Sequence, residues 1–325
     1  MSVSVEKLSV AYRSRRGDVT AVDNVSFSLA DGEIMGLAGE SGSGKSTLGN
    51  ALVYLDARMK TTGGKVAVDG RELPISDNNA MRHKRMTEVS LVPQYAMSAL
   101  TPTRKISTMI NDLLKSHHVR DRGTVMTELR RRLELIGLKE DVLSKYSFEL
   151  SGGMRQRVTI IMSTLLNPSL LVADEVTSAL DVSSQRAVGE MLIEFRDRGY
   201  IKSAIAITHD LSILAQIADS ILVMYAGRLA EKASTGTIVK APLHPYTQML
   251  LASLPEVGVR HDQTNPTPLT GIPGRPPSLV SPPVGCRFAD RCPFAREKCA
   301  ETPPFEEVQP GHYVACWKVS QGWAS

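Results

Sequence analysis

The stretch that most constrains this chain is Gly39-Glu40-Ser41-Gly42-Ser43-Gly44-Lys45-Ser46, which fits the pattern G-x-x-x-x-G-K-[ST]. Ahead of it, Ile34-Met35-Gly36-Leu37-Ala38 is a short apolar run that reads as a buried strand. Behind it, Ser46-Thr47-Leu48-Gly49-Asn50-Ala51-Leu52 reads as the start of a helix. The order has a chemical reason. Glycines let successive backbone N–H groups close around a phosphate, and a helix N-terminus adds partial positive charge. The Lys45 ammonium can reach the outer phosphates, and the Ser46 hydroxyl can ligate Mg²⁺. A Gly-rich turn that binds nothing has no need of strand, lysine and hydroxyl in this register. The stretch points to a nucleoside triphosphate, and leaves open what its energy is used for.

Three later segments carry chemistry of the same kind. Leu170-Leu171-Val172-Ala173-Asp174-Glu175 is an apolar strand ending in two carboxylates. Downstream of a phosphate loop, the first of such a pair helps hold Mg²⁺, and the adjacent Glu can orient and deprotonate a water. Ser203-Ala204-Ile205-Ala206-Ile207-Thr208-His209 is a further buried strand with a polar end. His209 there is either structural or a donor to a terminal phosphate, and its strand is the expected parallel neighbour of the acidic one. Val89-Ser90-Leu91-Val92-Pro93-Gln94 places Gln94 at a strand end, facing Mg²⁺ or a water, or capping a loop. Ser151 is a plausible N-cap for a helix to about Leu166. With Gly152 and Gly153 it makes a second, weaker candidate phosphate site.

The N-terminal part adds strands. Val3, Val5, Leu8 and Val10 suggest one ending near Tyr12, an aromatic that faces solvent or stacks on a base. Val25, Phe27 and Leu29 alternate with serines. Gly63-Gly64 and Asp69-Gly70 bracket a short hairpin strand, Lys65–Val68. Together these predict an antiparallel β layer around a parallel α/β core. Residues 101–165 are expected to be mainly helical. In Met126–Leu138 an apolar stripe (Leu129, Leu133, Ile136, Leu138) leaves Arg130-Arg131-Arg132 as a solvated face.

Composition excludes some classes. The chain has 325 residues, 42% hydrophobic and 22% charged, with a formal net charge of +4, too mild an excess to argue for nucleic acid. Residues 1–6 lack the basic and apolar regions of a signal peptide. The longest uncharged apolar stretch, Val158 to Ala173, is broken by Asn167-Pro168 and is too short to span a bilayer. The expectation is a cytoplasmic protein whose membrane role, if any, comes through a partner.

The tail differs from the rest. Fourteen of the 18 prolines follow residue 240, and all four cysteines, Cys286, Cys292, Cys299 and Cys316, lie near the C-terminus. In a cytoplasmic chain this argues against structural disulfides. A four-thiolate metal site is the expectation, either Zn²⁺ or an iron–sulfur cluster. No closely spaced Cys pair of the zinc-ribbon type exists, and the wider spacing suits [4Fe–4S] better. Residues 246–325 carry seven basic and seven acidic residues, so no basic nucleic-acid arm is expected.

Taken in order, these motifs resemble the ATP-binding cassette (ABC) ATPases over roughly residues 3–250. The resemblance implies a P-loop α/β fold with a RecA-like core sheet, an antiparallel β subdomain and an α-helical signature subdomain (about 95–165). It implies ATP and Mg²⁺ held by Gly39, Glu40, Ser41, Gly42, Ser43, Gly44, Lys45, Ser46 and Thr47, with Tyr12 stacking on adenine. Gln94 would be the Q-loop, Leu150–Gln156 the signature with Ser151, Gly152 and Gly153 on nucleotide, and Asp174 the Walker B carboxylate. Glu175 would be the catalytic base, Ser178–Asp181 the D-loop with Asp181 near nucleotide, and His209 the switch histidine. Ser46, Gln94 and Asp174 would hold Mg²⁺. Two departures stand out: Met154 replaces the common signature Gln, and Val176 the common Pro.

Ser-Gly-Gly-Met-Arg-Gln-Arg, Met224-Tyr225-Ala226-Gly227, His244-Pro245-Tyr246-Thr247 and the Cys-rich tail resemble, more narrowly, the dipeptide/oligopeptide importer ATPases. That implies a nucleotide-binding domain over 1–245 and a small, loop-rich metal-binding extension over 246–325, with a [4Fe–4S] cluster on the four cysteines. It implies head-to-tail pairing with a second related ATPase, usually as a heterodimer, beneath two membrane permeases fed by an external binding protein. The chain would then sit at the cytoplasmic face of the membrane. Related cassettes serve nickel or short saccharides, and a soluble nucleic-acid ATPase would need a basic, aromatic-rich face. Aromatics are only 5% here.

Overall fold

The structure is a computed structural model that describes residues 2–14, 17–53, 56, 58–94, 99–176, 182–253 and 271–323. In chain order it has β1 (Val3–Tyr12), β2 (Val19–Leu29), β3 (Ile34–Ala38), α1 (Lys45–Val53), β4 (Met59–Val68), β5 (Arg71–Glu72), α2 (Asn78–Lys84) and β6 (Val89–Val92). There follow α3 (Ile106–Ser116), α4 (Arg122–Leu135), α5 (Gly152–Thr164), β7 (Leu170–Asp174), α6 (Val182–Asp197), β8 (Ser203–Ile207) and α7 (Leu211–Ile217). The chain closes with β9 (Ser220–Tyr225), β10 (Arg228–Ser234), α8 (Thr235–Lys240), α9 (Pro245–Ala252), β11 (Glu306–Gln309) and β12 (His312–Val314).

Among the described residues the large sheet runs β11-β12-β10-β9-β3-β8-β7-β6. From β9 to β6 the strands are parallel. All residues of β3, β7, β8 and β9 are buried, as a parallel sheet covered on both faces demands. Alternation assigns each side chain to one of two cores. Ile34, Ala38, Leu171, Ala173, Ala204, Ala206, Ile221 and Val223 face the core shared with α3 to α7. Met35, Leu37, Leu170, Val172, Ile205, Ile207, Leu222 and Met224 face α1 and the second sheet, β2-β1-β4-β5. The carboxyl ends of β3, β7 and β8 therefore come out side by side, with α1 starting at the end of β3.

Two expectations are corrected. Gly63-Gly64 is no turn: both residues lie inside the ten-residue β4. The β1/β4 register shifts between Glu6 and Ser9, opposite these glycines. Gly64 sits at φ +88°, and a Cβ there would lie 2.5 Å from the Glu6 carbonyl oxygen and the Leu8 backbone. A bulge this tight admits only glycine. Arg132 is not solvated but fully buried. It donates to Thr164 O (2.6 Å) and Asn167 Oδ1 (2.5 Å), and its guanidinium lies 3.9 Å from the Tyr200 ring centroid. The pattern of α4 placed it beside the apolar stripe, and only its partners on the α5 side show that the charge is compensated internally.

The tail set apart in the sequence joins the main sheet. β12 pairs with β10 at Glu231↔Val314 and Lys232↔Tyr313. Glu231 is fully buried; it accepts from the Leu243 and His244 N–H groups and is 2.7 Å from His312 Nε2. Tyr225, Tyr246, His244 and Phe288 form one aromatic cluster between sheet, α9 and tail.

Candidate functional site

The phosphate loop leaves β3 through Gly39 at φ +145°. A Cβ here would fall 2.2 Å from the Met224 carbonyl oxygen, so β9 leaves no room for a side chain. Lys45, the first residue of α1, is buried and curls back over the loop. Its ammonium donates to Gly39 O (2.7 Å) and Glu40 O (2.9 Å) and reaches Ser43 Oγ at 3.5 Å. Burial lowers its pKa, against the raising effect of Glu175, Asp174 and Glu40. Ser46 Oγ donates to Asp174 Oδ1 at 3.1 Å. Tyr12 Oη lies 3.3 Å from Thr47 Oγ1, so the strand-end aromatic is tied to the first turn of α1.

Asp174 ends β7 almost fully buried. Burial, assisted by Glu175, pushes its carboxyl up to about 6, against the Ser46 hydrogen bond and Lys45. Glu175 follows at φ +47°, a left-handed conformation costing about 1 kcal/mol for a non-glycine residue. Its N–H still donates to Ile207 O (2.8 Å), which continues the β7–β8 ladder and holds the carboxylate over the end of β8. Gln94 Nε2 donates to Glu175 Oε2 at 2.7 Å, and His209 Nδ1 lies 3.7 Å from Glu175 Oε1. Gln94 is thus tied to Glu175 rather than to the Ser46–Asp174 pair. Val176 lies in the core, where it anchors the chain beyond the acidic pair.

The structure therefore gathers Glu40, Lys45, Ser46, Gln94, Asp174, Glu175 and His209 at the carboxyl end of the parallel strands. Ser151, Gly152 and Gly153 are not among them. Ser151 caps α5, its Oγ accepting from Met154 N at 3.3 Å, and makes no hydrogen bond to the phosphate loop among the described residues. The Met154 side chain packs on the core. Asp181 and the Ser178–Asp181 segment lie outside the described residues.

Reading the sequence missed the tail's contribution. Tyr246 Oη accepts from Glu40 N at 2.7 Å, and burial raises the Tyr246 pKa strongly. Arg291 holds the Glu40 carboxylate through two bonds (2.6 and 3.0 Å). Arg287 binds Asp23 Oδ2 at 2.5 Å and donates to Ala226 O. The only sequence signal was two arginines beside Cys286 and Cys292, in a tail whose charges balance overall.

No metal site is shown at Cys286, Cys292, Cys299 and Cys316 among the described residues. Each is a free thiol, and among the described residues no group of three or more His, Cys, Asp or Glu side chains is arranged to hold a metal ion. Burial raises the pKa of Cys286 to about 11 and also raises those of Cys292 and Cys316.

No helix among the described residues is long and apolar enough to cross a membrane. Residues 22–178 match the family model described as ABC transporter, and residues 230–299 the one described as oligopeptide/dipeptide transporter, C-terminal region. The chain is 40% identical to the oligopeptide transport ATP-binding protein OppD of Escherichia coli (strain K12), over 97% of this chain and 93% of that one. It is 37% identical to the dipeptide transport ATP-binding protein DppD of Caldanaerobacter subterraneus subsp. tengcongensis, over 98% of each. In fold it is similar to the dimeric ATP-binding cassette MJ0796 solved with ADP and phosphate, with a TM-score of 0.61 and 24% identity, covering 72% of this chain and 98% of that one. With the phosphate loop, the acidic pair and the tail each in family order, the chain belongs to the ABC transporter ATP-binding proteins, among those that carry the oligopeptide/dipeptide transporter C-terminal region.

Proposed function

We propose that this chain is the ATP-hydrolysing subunit of a membrane importer of dipeptides and oligopeptides. The observation that carries the peptide assignment is identity extending through the tail, across nearly the whole of relatives named for oligopeptide and dipeptide transport. The chain would lie at the cytoplasmic face, held there by two permeases that an external binding protein supplies. A second, related cassette would complete each ATP site with its own signature. What supports pairing is that Ser151 makes no hydrogen bond to the phosphate loop among the described residues, although both segments open helices suited to phosphate.

The roles follow from the groups present. Backbone N–H groups of Gly39–Ser46 cradle the phosphates. Lys45 exchanges its hold on the Gly39 and Glu40 carbonyls for phosphate oxygens, so the loop's own acceptors keep it placed in the meantime. Ser46 and Asp174 offer the hard oxygen donors that suit Mg²⁺, and burial of Asp174 makes a cation partner favourable there. Ser46 and Asp174 would hold that ion, whose charge would offset that of the outer phosphates. Glu175 orients the attacking water and accepts its proton. Gln94 and His209 flank the Glu175 carboxylate on its two oxygens and hold its direction. Tyr12 and Asp181 complete the nucleotide contacts.

The four cysteines are proposed to hold a [4Fe–4S] cluster, with Zn²⁺ as the alternative. In support, neighbouring thiols, Cys299 among them in each case, add to the burial that raises the pKa of Cys286, Cys292 and Cys316. Backbone N–H groups of Phe288, Phe294, Lys318 and Val319 also point at the sulfurs of Cys286, Cys292 and Cys316, as thiolate ligands require. Such a group would cross-link a Pro-rich segment with little core of its own. Iron and sulfide analysis of anaerobically purified protein decides it; zinc without sulfide ends the cluster reading.

Replacing Glu175 by Gln tests the hydrolytic assignment. The Glu175→Gln protein should bind ATP as before, cease to turn it over and accumulate as a closed pair. Undiminished turnover removes Glu175 as the base.

A further inference from the structure

We propose that Arg291, in the Cys-bearing tail, is a positioning residue for ATP binding: it latches the tail onto the phosphate loop by neutralising and orienting Glu40. The inference rests on Gly39–Ser46 being the ATP site and adds a partner from the tail, outside that loop.

Arg291 is almost fully buried, and all five of its N–H donors are used. Nη1 donates to Glu40 Oε2 (2.6 Å) and Tyr225 Oη (3.1 Å). Nη2 donates to Glu40 Oε1 (3.0 Å) and Ile272 O (3.2 Å), and Nε to Pro273 O (2.7 Å). One guanidinium thus ties together the phosphate loop, the end of β9, the 272–273 segment and the residue next to Cys292. A planar fork can make this pattern; an ammonium cannot.

Glu40 is the loop residue through which such a latch would be felt. Its N–H is held by Tyr246 Oη, and its carbonyl accepts from Lys45 Nζ and Ser43 N. When Lys45 turns to phosphate, the Glu40 carbonyl loses that bond. The bonds to Tyr246, Arg291 and Ser43 N are then what keep this residue in place. Charge points the same way. Glu40 is a carboxylate in a loop built for an anion, so unpaired it opposes ATP; paired with Arg291 it does not. The tail thus contributes to nucleotide affinity, and by reciprocity nucleotide binding steadies the tail.

A double-mutant cycle on the full chain tests this, reading ATP affinity by equilibrium titration and the KM and kcat of hydrolysis separately. Arg291→Gln should weaken ATP binding by about tenfold or more and raise KM while leaving kcat within about twofold. Glu40→Gln, which removes the charge that needs Arg291 but keeps the backbone groups of the loop, should weaken binding less than Arg291→Gln does. The double variant should recover to near the Glu40→Gln value, a rescue that a merely structural arginine would not show. The inference is overturned if Arg291→Gln binds ATP like the unmodified chain, or if the double variant stays as weak as Arg291→Gln alone. Failure of the unmodified chain to bind ATP would instead sink the reading of the loop itself.

Discussion

Asp174→Asn should make the protein more stable while removing its Mg²⁺-dependent activity. The carboxyl is raised from 3.8 to about 6, chiefly by burial at the end of β7. An acid with a raised folded pKa binds its proton more tightly in the folded chain. Its contribution therefore favours folding below the unfolded value and is lost as pH rises through about 6. At neutral pH, ionised Asp174 then costs the fold roughly 3 kcal/mol, at about 1.4 kcal/mol for each tenfold change in proton affinity. Asn keeps an oxygen for the Ser46 hydroxyl and carries no charge, so it removes that cost. Denaturant unfolding with chelator and no nucleotide is the assay. Asp174→Asn should exceed the unmodified chain by about 3 kcal/mol near pH 7.5 and by about half that near pH 5. Equal stabilities, or a gap that does not shrink on acidification, would show that Asp174 is not held as a destabilised carboxylate. ATP hydrolysis by the variant should fall to background in the same preparation.

Two further substitutions test the corrected parts of the fold. Arg132→Ala removes two charge-assisted hydrogen bonds and a cation–ring contact from a dry site and leaves Thr164 O without its arginine donor, so it should cost about 3–5 kcal/mol by denaturant unfolding; a loss under about 1 kcal/mol would mean the site is wet. Gly64→Ala should cost more than about 2 kcal/mol, because its Cβ would meet backbone at 2.5 Å and the φ is left-handed; Gly63→Ala, with open space around it, should stay within about 0.5 kcal/mol, and similar losses at both positions would refute the bulge.

The strand–loop–helix unit, the acidic strand and the His209 strand were legible because their signals are local. A buried parallel strand is a continuous apolar run, and the residue that leaves it at the carboxyl end is polar. Pairing of β7 with β8 followed from the parallel-sheet rule, and it brings Glu175 and His209 together. Local pattern failed where the deciding partner was distant. Arg132 looked solvated beside two other arginines, and its acceptors lie 32 and 35 positions away. Gly63-Gly64 looked like a turn because nothing in the sequence tells a bulge from a reversal.

The sequence alone determined that the chain closes on a phosphate, since glycine spacing, Lys45 and Ser46 act within a single loop and need no other segment to be recognised. It could not determine what holds that loop from behind. The tail's composition marked it as a separate, Cys-rich unit. Only the tertiary structure adds β12 to the edge of β10 and brings Arg291 to Glu40, across 251 positions of chain. Composition cannot encode such a contact, because a buried ion pair is specified by where the backbone delivers its two ends and not by what surrounds either one in sequence.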